Sequence, residues 1–156
     1  MKDYYKSIVI NKPVSVVYAA ITEHIPDWWS NDLTGSAANT GDSFTISFGK
    51  TIKTFNILEA TPNKEVIWKC VKAHIDIPSL KNKAEWVGTR LIWTLNAAGQ
   101  STTLSFLHEG LNPDFECYDM CEVAWNEFLA SLKAYLTTGK GKPFLKPAED
   151  PSVVYN

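Results

Sequence analysis

The sequence of 156 residues has few cysteines and no long apolar run. Three cysteines at irregular spacing do not make a disulfide framework. No run approaches the roughly 18 apolar residues of a membrane-spanning helix, so we expect no membrane span. The polar first residues are not followed by the apolar segment of a secretory signal. Unpaired thiols without an export signal favour the reducing cytoplasm as the compartment.

An excess of positive charge is also absent, because the chain has 15 basic and 17 acidic residues. Nucleic-acid-binding domains usually carry a basic excess or a basic stripe, so we expect no nucleic-acid partner. The sequence contains no P-loop, no Gly-x-Ser-x-Gly elbow and no Gly-x-Gly-x-x-Gly after a strand. Because these motifs are absent, we expect no cofactor, and the sequence gives no support for nucleotide chemistry.

Apolar and aromatic residues, by contrast, are plentiful. Hydrophobic residues make up 45% of the chain, aromatic residues make up 12%, and six residues are tryptophan. The length suits one domain, and a chain of this size buries roughly 70% of its unfolded surface. A sizeable core is therefore expected without disulfides or metals to support it.

The periodicity of the apolar residues predicts mainly strands. Residues 7–10 are rich in β-branched side chains, and from Phe44 onward apolar residues alternate with polar ones in successive segments joined by short turns. Such segments predict an antiparallel meander of about five strands after the first strand. The inward sets include Val66, Trp68 and Cys70 in one strand, and Leu104, Phe106 and His108 in another.

Two short helices and one long helix complete the predicted order. Residues 14–21 have helical spacing that must end before Pro26, and residues 27–29 begin a second short helix or turn. Residues 30–42 are polar and are expected to form a loop. Phe115–Thr138 is predicted as a long amphipathic helix that ends at Gly139. This order indicates an α+β fold with the long helix packed on one face of the sheet.

Several segments carry a family resemblance that extends from about Tyr4 to Pro143. They are Asn11–Tyr18, Trp28-Trp29, Trp86–Thr89, Phe106–Leu111, and Trp125 to Gly141. With these segments the chain resembles the START-like (Bet v 1-like, SRPBCC) superfamily, in the group related to the activator of Hsp90 ATPase homologue. The resemblance implies a START-like domain at residues 1–143, followed by a C-terminal tail at 144–156.

The resemblance implies a helix-grip fold, in which a curved antiparallel sheet wraps around the C-terminal helix and commonly leaves an internal apolar cavity. Members include ligand carriers, cyclases, hydrolases and chaperone activators, so the fold alone does not give the function. We expect large inward side chains to line this cavity, and the alternative is that the same side chains form an ordinary packed core. These residues are Trp29, Phe44, Ile46, Phe55, Trp68, Trp86, Trp93, Phe106, His108, Trp125 and Phe128.

His108 is the polar residue with the clearest chemical interest. Its position in the alternating pattern places it on the concave face near the end of a strand. There it is a candidate to orient a ligand or to act as a general base, because histidine titrates near neutrality. The alternative is a histidine that is hydrogen-bonded to backbone where the strand becomes a loop.

Two further groups of residues are candidate sites. Cys117 and Cys121, with His108, have the residue types of zinc ligands, but no zinc motif is present, so we expect core packing and no metal. Arg90 and Glu85 flank the segment that contains Trp86. One interpretation gives Arg90 a ligand carboxylate, and the other makes the two residues a surface ion pair.

These observations support three hypotheses of function. The first is a protein, monomer or homodimer, that binds a small apolar or amphipathic molecule between the sheet and the C-terminal helix. The second is an Hsp90-type chaperone activator, or interaction protein, as the resemblance implies. The third is a hydrolase or cyclase that uses His108, for which one inward histidine is the only support.

Overall fold

A computed structural model of the chain describes residues 2–147. In this range the strands are β1 (Tyr4–Ile10), β2 (Leu33–Gly35), β3 (Ser43–Phe48), β4 (Thr51–Thr61), β5 (Glu65–His74), β6 (Arg90–Ala98) and β7 (Ser101–Glu109). Helix α1 (Val14–Thr22) and a 3₁₀ turn (Ile25–Asp27) follow β1, and helix α2 (Tyr118–Thr138) follows β7. Neither α-helix of this range is long and apolar enough to cross a bilayer.

The seven strands form one antiparallel sheet with the order β1-β7-β6-β5-β4-β3-β2. Side chains alternate between the two faces of a strand, and the register places Trp93 of β6 opposite Phe106 of β7. Both residues are buried, as are Val66, Trp68 and Cys70 of β5. The inward sets predicted from the alternation are therefore confirmed.

Helix α2 packs against this buried face through Trp125. The ring of Trp125 lies 4.4 Å from that of Phe106 and 6.3 Å from that of Trp93, between centroids. At the sheet edge, the Tyr4 hydroxyl donates a hydrogen bond of 2.6 Å to Asn126 of the helix. Gly139 ends the helix in the left-handed conformation (φ 84°) that favours glycine. The predicted α+β helix-grip fold is confirmed.

The ends of three predicted elements differ from the structure. Helix α2 begins at Tyr118, three residues later than expected, because the carboxylate of Glu85 accepts the backbone N–H groups of Glu116 and Cys117 and holds them in a turn. The second short helix is the 3₁₀ turn Ile25–Asp27, which contains Pro26. The predicted loop 30–42 contains the edge strand β2, whose pairing depends on backbone groups of β3 that composition does not reveal.

A β-bulge changes which side chains of β5 face the helix. Phe55 pairs with Cys70 but Thr54 pairs with Lys72, so Val71 is an extra residue in β5. Beyond Val71 the alternation is reversed, which turns Lys72 outward and places Ala73 inward, opposite Lys53. Strand β5 consequently extends to His74, within the segment 72–84 that the sequence indicated as a connection.

The chain after α2 returns to the loop that carries Trp29. The backbone N–H of Phe144 donates to the carbonyl of Trp29 (2.9 Å), and the Phe144 carbonyl accepts from Asn31 (3.0 Å). The Phe144 ring lies 5.8 Å from that of Phe48. Part of the predicted tail 144–156 thus packs on the domain, and its residues 148–156 lie outside the described residues.

Ser131 of α2 connects the helix to both of these segments, and its removal tests their attachment. Its buried hydroxyl donates to the carbonyl of Trp28 (2.7 Å) and accepts the backbone N–H of Lys142 (2.7 Å). We expect Ser131→Ala to lower the free energy of unfolding by about 1–3 kcal/mol, because two buried backbone groups lose their partner.

Urea unfolding followed by circular dichroism measures this change. Thr137→Ala is the matched control, because that hydroxyl is exposed and bonds only to carbonyls of its own helix. A Ser131→Ala protein as stable as the Thr137→Ala protein would contradict the proposed role.

Candidate functional site

A cavity of about 280 Å³ lies between β4, the segment after β5 and helix α2. This volume is at the small end of the roughly 300–1,000 Å³ typical of ligand pockets. Most of its surface is apolar, and Thr51, Lys53 and Cys121 are its polar residues apart from the indole rings. The lining is formed by Trp29, Phe48, Thr51, Lys53, Ile75, Ile77, Trp86, Met120, Cys121, Ala124, Trp125, Phe128 and Phe144.

Four of the cavity residues expected from the sequence line this space: Trp29, Trp86, Trp125 and Phe128. The other expected residues are packed into the core beside it, and they are Phe44, Ile46, Phe55, Trp68, Trp93, Phe106 and His108. The reason is that the aromatic rings among them pack against one another and fill the interior, with centroid distances of 4.3 Å between Trp93 and Phe106 and 5.0 Å between Phe44 and Trp68.

Stacked indole rings form two walls of the cavity. Trp86 stacks on Trp125 with 5.9 Å between centroids and 11° between planes, and Trp29 stacks on Trp68 at 6.0 Å and 13°. Such pairs add about 0.5–1.5 kcal/mol beyond the burial of their area. Their packing fixes the shape of the cavity without a ligand, which reduces the entropy cost of binding one.

His108 is fully buried and both its ring nitrogens are engaged. Nδ1 accepts the indole N–H of Trp125 (3.0 Å), so in the neutral ring the proton is on Nε2, which donates to the hydroxyl of Thr89 (2.9 Å). That hydroxyl in turn donates to the carbonyl of Trp86 (2.6 Å). The hydrogen-bond partners of His108 are thus side chains, whereas the alternative stated from the sequence expected backbone groups.

The surroundings of His108 keep its imidazole neutral. Burial lowers the pKa of His108 well below its ordinary value of 6.5, and the positive charge of Lys53 lowers it further. His108 does not line the cavity, and its lone pair on Nδ1 is taken by Trp125. This geometry orients the Trp125 ring and offers no free base to a molecule in the cavity.

Lys53 of β4 is the polar residue of the cavity that the sequence analysis missed. It is 9% exposed, and its neighbours across the strands, Ile46 and Ala73, are apolar. Its ammonium nitrogen lies 3.5 Å from the ring centroid of Trp86 and 5.5 Å from that of Phe48. Within residues 2–147 it has no carboxylate partner.

The charge on Lys53 is costly because it is removed from water. Burial lowers the pKa of Lys53 to about 8, and the nearby thiols of Cys121, Cys70 and Cys117 only partly oppose this effect. The sequence held a signal, since Lys53 shares the parity of Phe55 and Ile57 on the inward face. A lysine at an inward position usually marks the end of the buried part of a strand, so the alternation alone does not indicate a buried charge.

The three cysteines are free thiols in different surroundings. Cys121 lines the cavity and accepts the indole N–H of Trp86 at 3.3 Å. A hydrogen bond from Cys117, the charge of Lys53 and the Trp86 N–H lower the pKa of Cys121. Burial raises the pKa of Cys70 to about 12.

The residues weighed as metal ligands or ligand anchors are used in other ways. Residues 2–147 contain no cluster of three or more His, Cys, Asp and Glu side chains arranged to hold a metal. Arg90 makes a bidentate pair with Glu109 at 2.8 and 2.9 Å, so its partner is not Glu85, which caps the turn before α2. Arg90 is therefore occupied by a partly exposed ion pair, and it does not line the cavity.

Comparison with sequence families gives one match over most of the chain. The sequence model of the family described as activator of Hsp90 ATPase homolog 1-like protein matches residues 11–137. This match confirms the resemblance inferred from the sequence. No curated protein matches the chain in sequence.

Solved structures with the same fold include three that cover most of this chain. The solution structure of the Aha1 dimer from Colwellia psychrerythraea has a TM-score of 0.74 and 27% identity, and the match covers 90% of this chain and all of that one. Protein MLL2253 from Mesorhizobium loti has a TM-score of 0.67 at 20% identity, covering 85% and 96%. CalU16 from Micromonospora echinospora has 0.65 at 18%, covering 85% and 73%. The last two show the fold alone.

Replacement of Lys53 by an apolar side chain of similar length tests the cost of its buried charge. We expect Lys53→Met to raise the free energy of unfolding at pH 7 by about 1–3 kcal/mol, as a pKa near 8 instead of 10.5 implies. Between pH 8 and 10.5 the unfolded state holds the lysine proton that the native state has released, so the wild-type protein gains stability there and the difference shrinks.

Urea unfolding of both proteins at pH 7, 9 and 10.5 measures this difference. Lys72→Met is the matched control, since Lys72 is exposed on the outer face of the adjacent strand. A loss of stability at pH 7 in Lys53→Met would contradict the account.

The state of His108 gives a second prediction for this site. We expect nitrogen-15 NMR of the imidazole rings to show His108 as the Nε2-protonated neutral tautomer from pH 8 down to pH 5. The native pKa of His108 is depressed, so its contribution to stability is complete above pH 6.5 and declines as the pH falls below that value. A doubly protonated His108 ring in the folded protein at pH 6 is the contrary outcome.

Proposed function

Since the chain belongs to the activator of Hsp90 ATPase homolog 1-like family, with the helix-grip fold, we propose that it functions by enclosing a small apolar ligand between its sheet and its C-terminal helix. The observation that carries this proposal is the cavity of about 280 Å³ beside Trp125. The space lies between large aromatic side chains and reaches the surface beside the exposed Met120, so a small molecule can enter it from solvent and bury apolar surface there.

The character of the walls supports an apolar ligand. Trp29, Trp86, Phe48 and Phe128 present aromatic surface to the space, and two of them are held in stacked pairs with other rings. Burial of apolar ligand surface against such walls is favourable by roughly 25 cal/mol per Å². The volume suits a molecule about as large as naphthalene with one substituent.

Filling the cavity with protein tests this proposal. We expect wild-type protein to bind the neutral probes 2-naphthamide or 1-decanol, with stabilisation of about 2.7 kcal/mol at a hundred times the dissociation constant. Ala124→Phe is expected to weaken binding at least tenfold, because Ala124 lies in the cavity wall. Isothermal titration calorimetry and thermal unfolding measure the two effects.

Ala130→Phe is the matched control on the same helix, because Ala130 is exposed and does not line the cavity. Equal binding by the Ala124→Phe and Ala130→Phe proteins would place the probes elsewhere. The absence of binding by any probe to the folded wild-type chain would remove the proposal.

A second candidate function is interaction with an Hsp90-type chaperone. It is favoured by the description of the matched family and by 27% identity to the Aha1 of Colwellia psychrerythraea over that protein's whole length. That protein was solved as a dimer, so a homodimer is the assembly to test for this chain. Stimulation of an Hsp90 ATPase by the chain, with light scattering to give its mass, examines both points.

The surroundings of His108 favour ligand binding over catalysis. A hydrolase or cyclase that uses His108 has no support, because both nitrogens of His108 are engaged and the ring lies outside the cavity lining. The unpaired thiols of Cys70, Cys117 and Cys121 support the reducing cytoplasm as the compartment.

A further inference from the structure

The ammonium group of Lys53 is the feature of the cavity that the enclosure of an apolar ligand leaves unexplained. A buried lysine is normally paired with a carboxylate or with several hydrogen-bond acceptors, because an isolated charge in an apolar surrounding is costly. Within residues 2–147, no carboxylate is paired with the Lys53 side chain, which lines the cavity. Its Nζ lies 3.5 Å from the centroid of the Trp86 ring and 5.5 Å from that of Phe48.

The neighbours of Lys53 leave the cavity as the place from which a counter-charge can come. Ile46 and Ala73 flank it on the adjacent strands, and Phe55 follows it on the same face of β4. The Thr51 hydroxyl, on the other side, accepts the backbone N–H of Asp76. Trp86 covers the ammonium group with its ring face, and the Lys53 side chain lines the cavity, so a group bound there lies within its reach.

We propose that the ligand of this cavity is an apolar molecule with one carboxylate group, and that Lys53 is the residue that binds this carboxylate. The inference rests on the proposed function, and it adds the chemical class of the ligand. A monoanion neutralises the single ammonium charge, whereas a dianion such as a phosphate ester would leave a net negative charge in an apolar space. The apolar part of the ligand lies against Trp29, Phe48 and Phe128.

The other titratable groups near Lys53 are three thiols and one histidine. The thiols of Cys70 on β5 and of Cys117 and Cys121 at α2 are the groups that act on the Lys53 charge, and His108 of β7 stays neutral. Cys121 also lines the cavity, and it is the thiol of the three whose pKa is lowered, by a hydrogen bond from Cys117, by the Lys53 charge and by the Trp86 N–H. Cys121→Ala removes this alternative counter-charge and should keep the preference for a carboxylate ligand.

A pair of probes of the same shape separates the charge from the apolar contact. We expect wild-type protein to bind 2-naphthoate at least tenfold more tightly than the neutral 2-naphthamide, as measured by isothermal titration calorimetry at pH 7. In Lys53→Met this preference should disappear while 2-naphthamide still binds. Lys72→Met, which removes an exposed charge from the neighbouring strand, should keep the preference.

The pH dependence provides a second readout that a merely structural lysine would not produce. The pKa of Lys53 is about 8 in the free protein, so the affinity for 2-naphthoate should fall about tenfold between pH 7 and pH 9 as the ammonium group loses its proton. The affinity for 2-naphthamide should stay constant over that interval. Both should be constant in Lys53→Met.

The outcomes distinguish failure of this inference from failure of the proposed function. Equal affinity of the two probes for the wild-type protein, or a preference for 2-naphthoate that survives in Lys53→Met, overturns the inference while the apolar cavity stands. If neither naphthyl probe binds and decanoate and 1-decanol also fail, the proposed function falls with it. Loss of both probes in Lys53→Met would show that the lysine supports the wall formed by Trp86, and would also overturn its assignment to a carboxylate.

Discussion

The packing of Trp125 against the concave face of the sheet is the contact on which the rest of the structure depends. This ring contacts Phe106 and Trp93 of the sheet, Trp29 of the loop before β2, and Trp86 of the loop before β6. Its indole N–H is satisfied by His108, which fixes the orientation of the ring. One helical side chain therefore joins the two loops that bound the cavity to the sheet behind it.

The dense packing of aromatic rings in the core leaves some polar groups without hydrogen bonds. The indole N–H groups of Trp68 and Trp93 are buried without a hydrogen-bond partner among the described residues. Each such group costs about 1–3 kcal/mol, which the burial of a large aromatic surface offsets. A core tolerates an unpaired N–H dipole, whereas an unpaired charge such as that of Lys53 costs far more free energy and calls for a counter-ion.

Membership of the family and the shape of the cavity bear on different levels of function. The family match and the solved structures establish the family and the fold of the chain. They do not assign chemistry to the cavity, because a fold hosts many functions. The cavity is formed by side chains of this chain, and Lys53 and the ring of Phe144 are among those that line it.

The sequence by itself determined the alternating strands, the long helix and the family, because period two, period 3.6 and the motif segments are local properties. Of the eleven side chains expected at the cavity, Trp29, Trp86, Trp125 and Phe128 line the space, and the other seven are packed beside it. Only the tertiary structure decided that His108 is sealed between Trp125 and Thr89 and that Lys53 lies unpaired beside Trp86. Those outcomes depend on contacts between residues far apart in the chain, and on a bulge in β5 that sets which side chains meet.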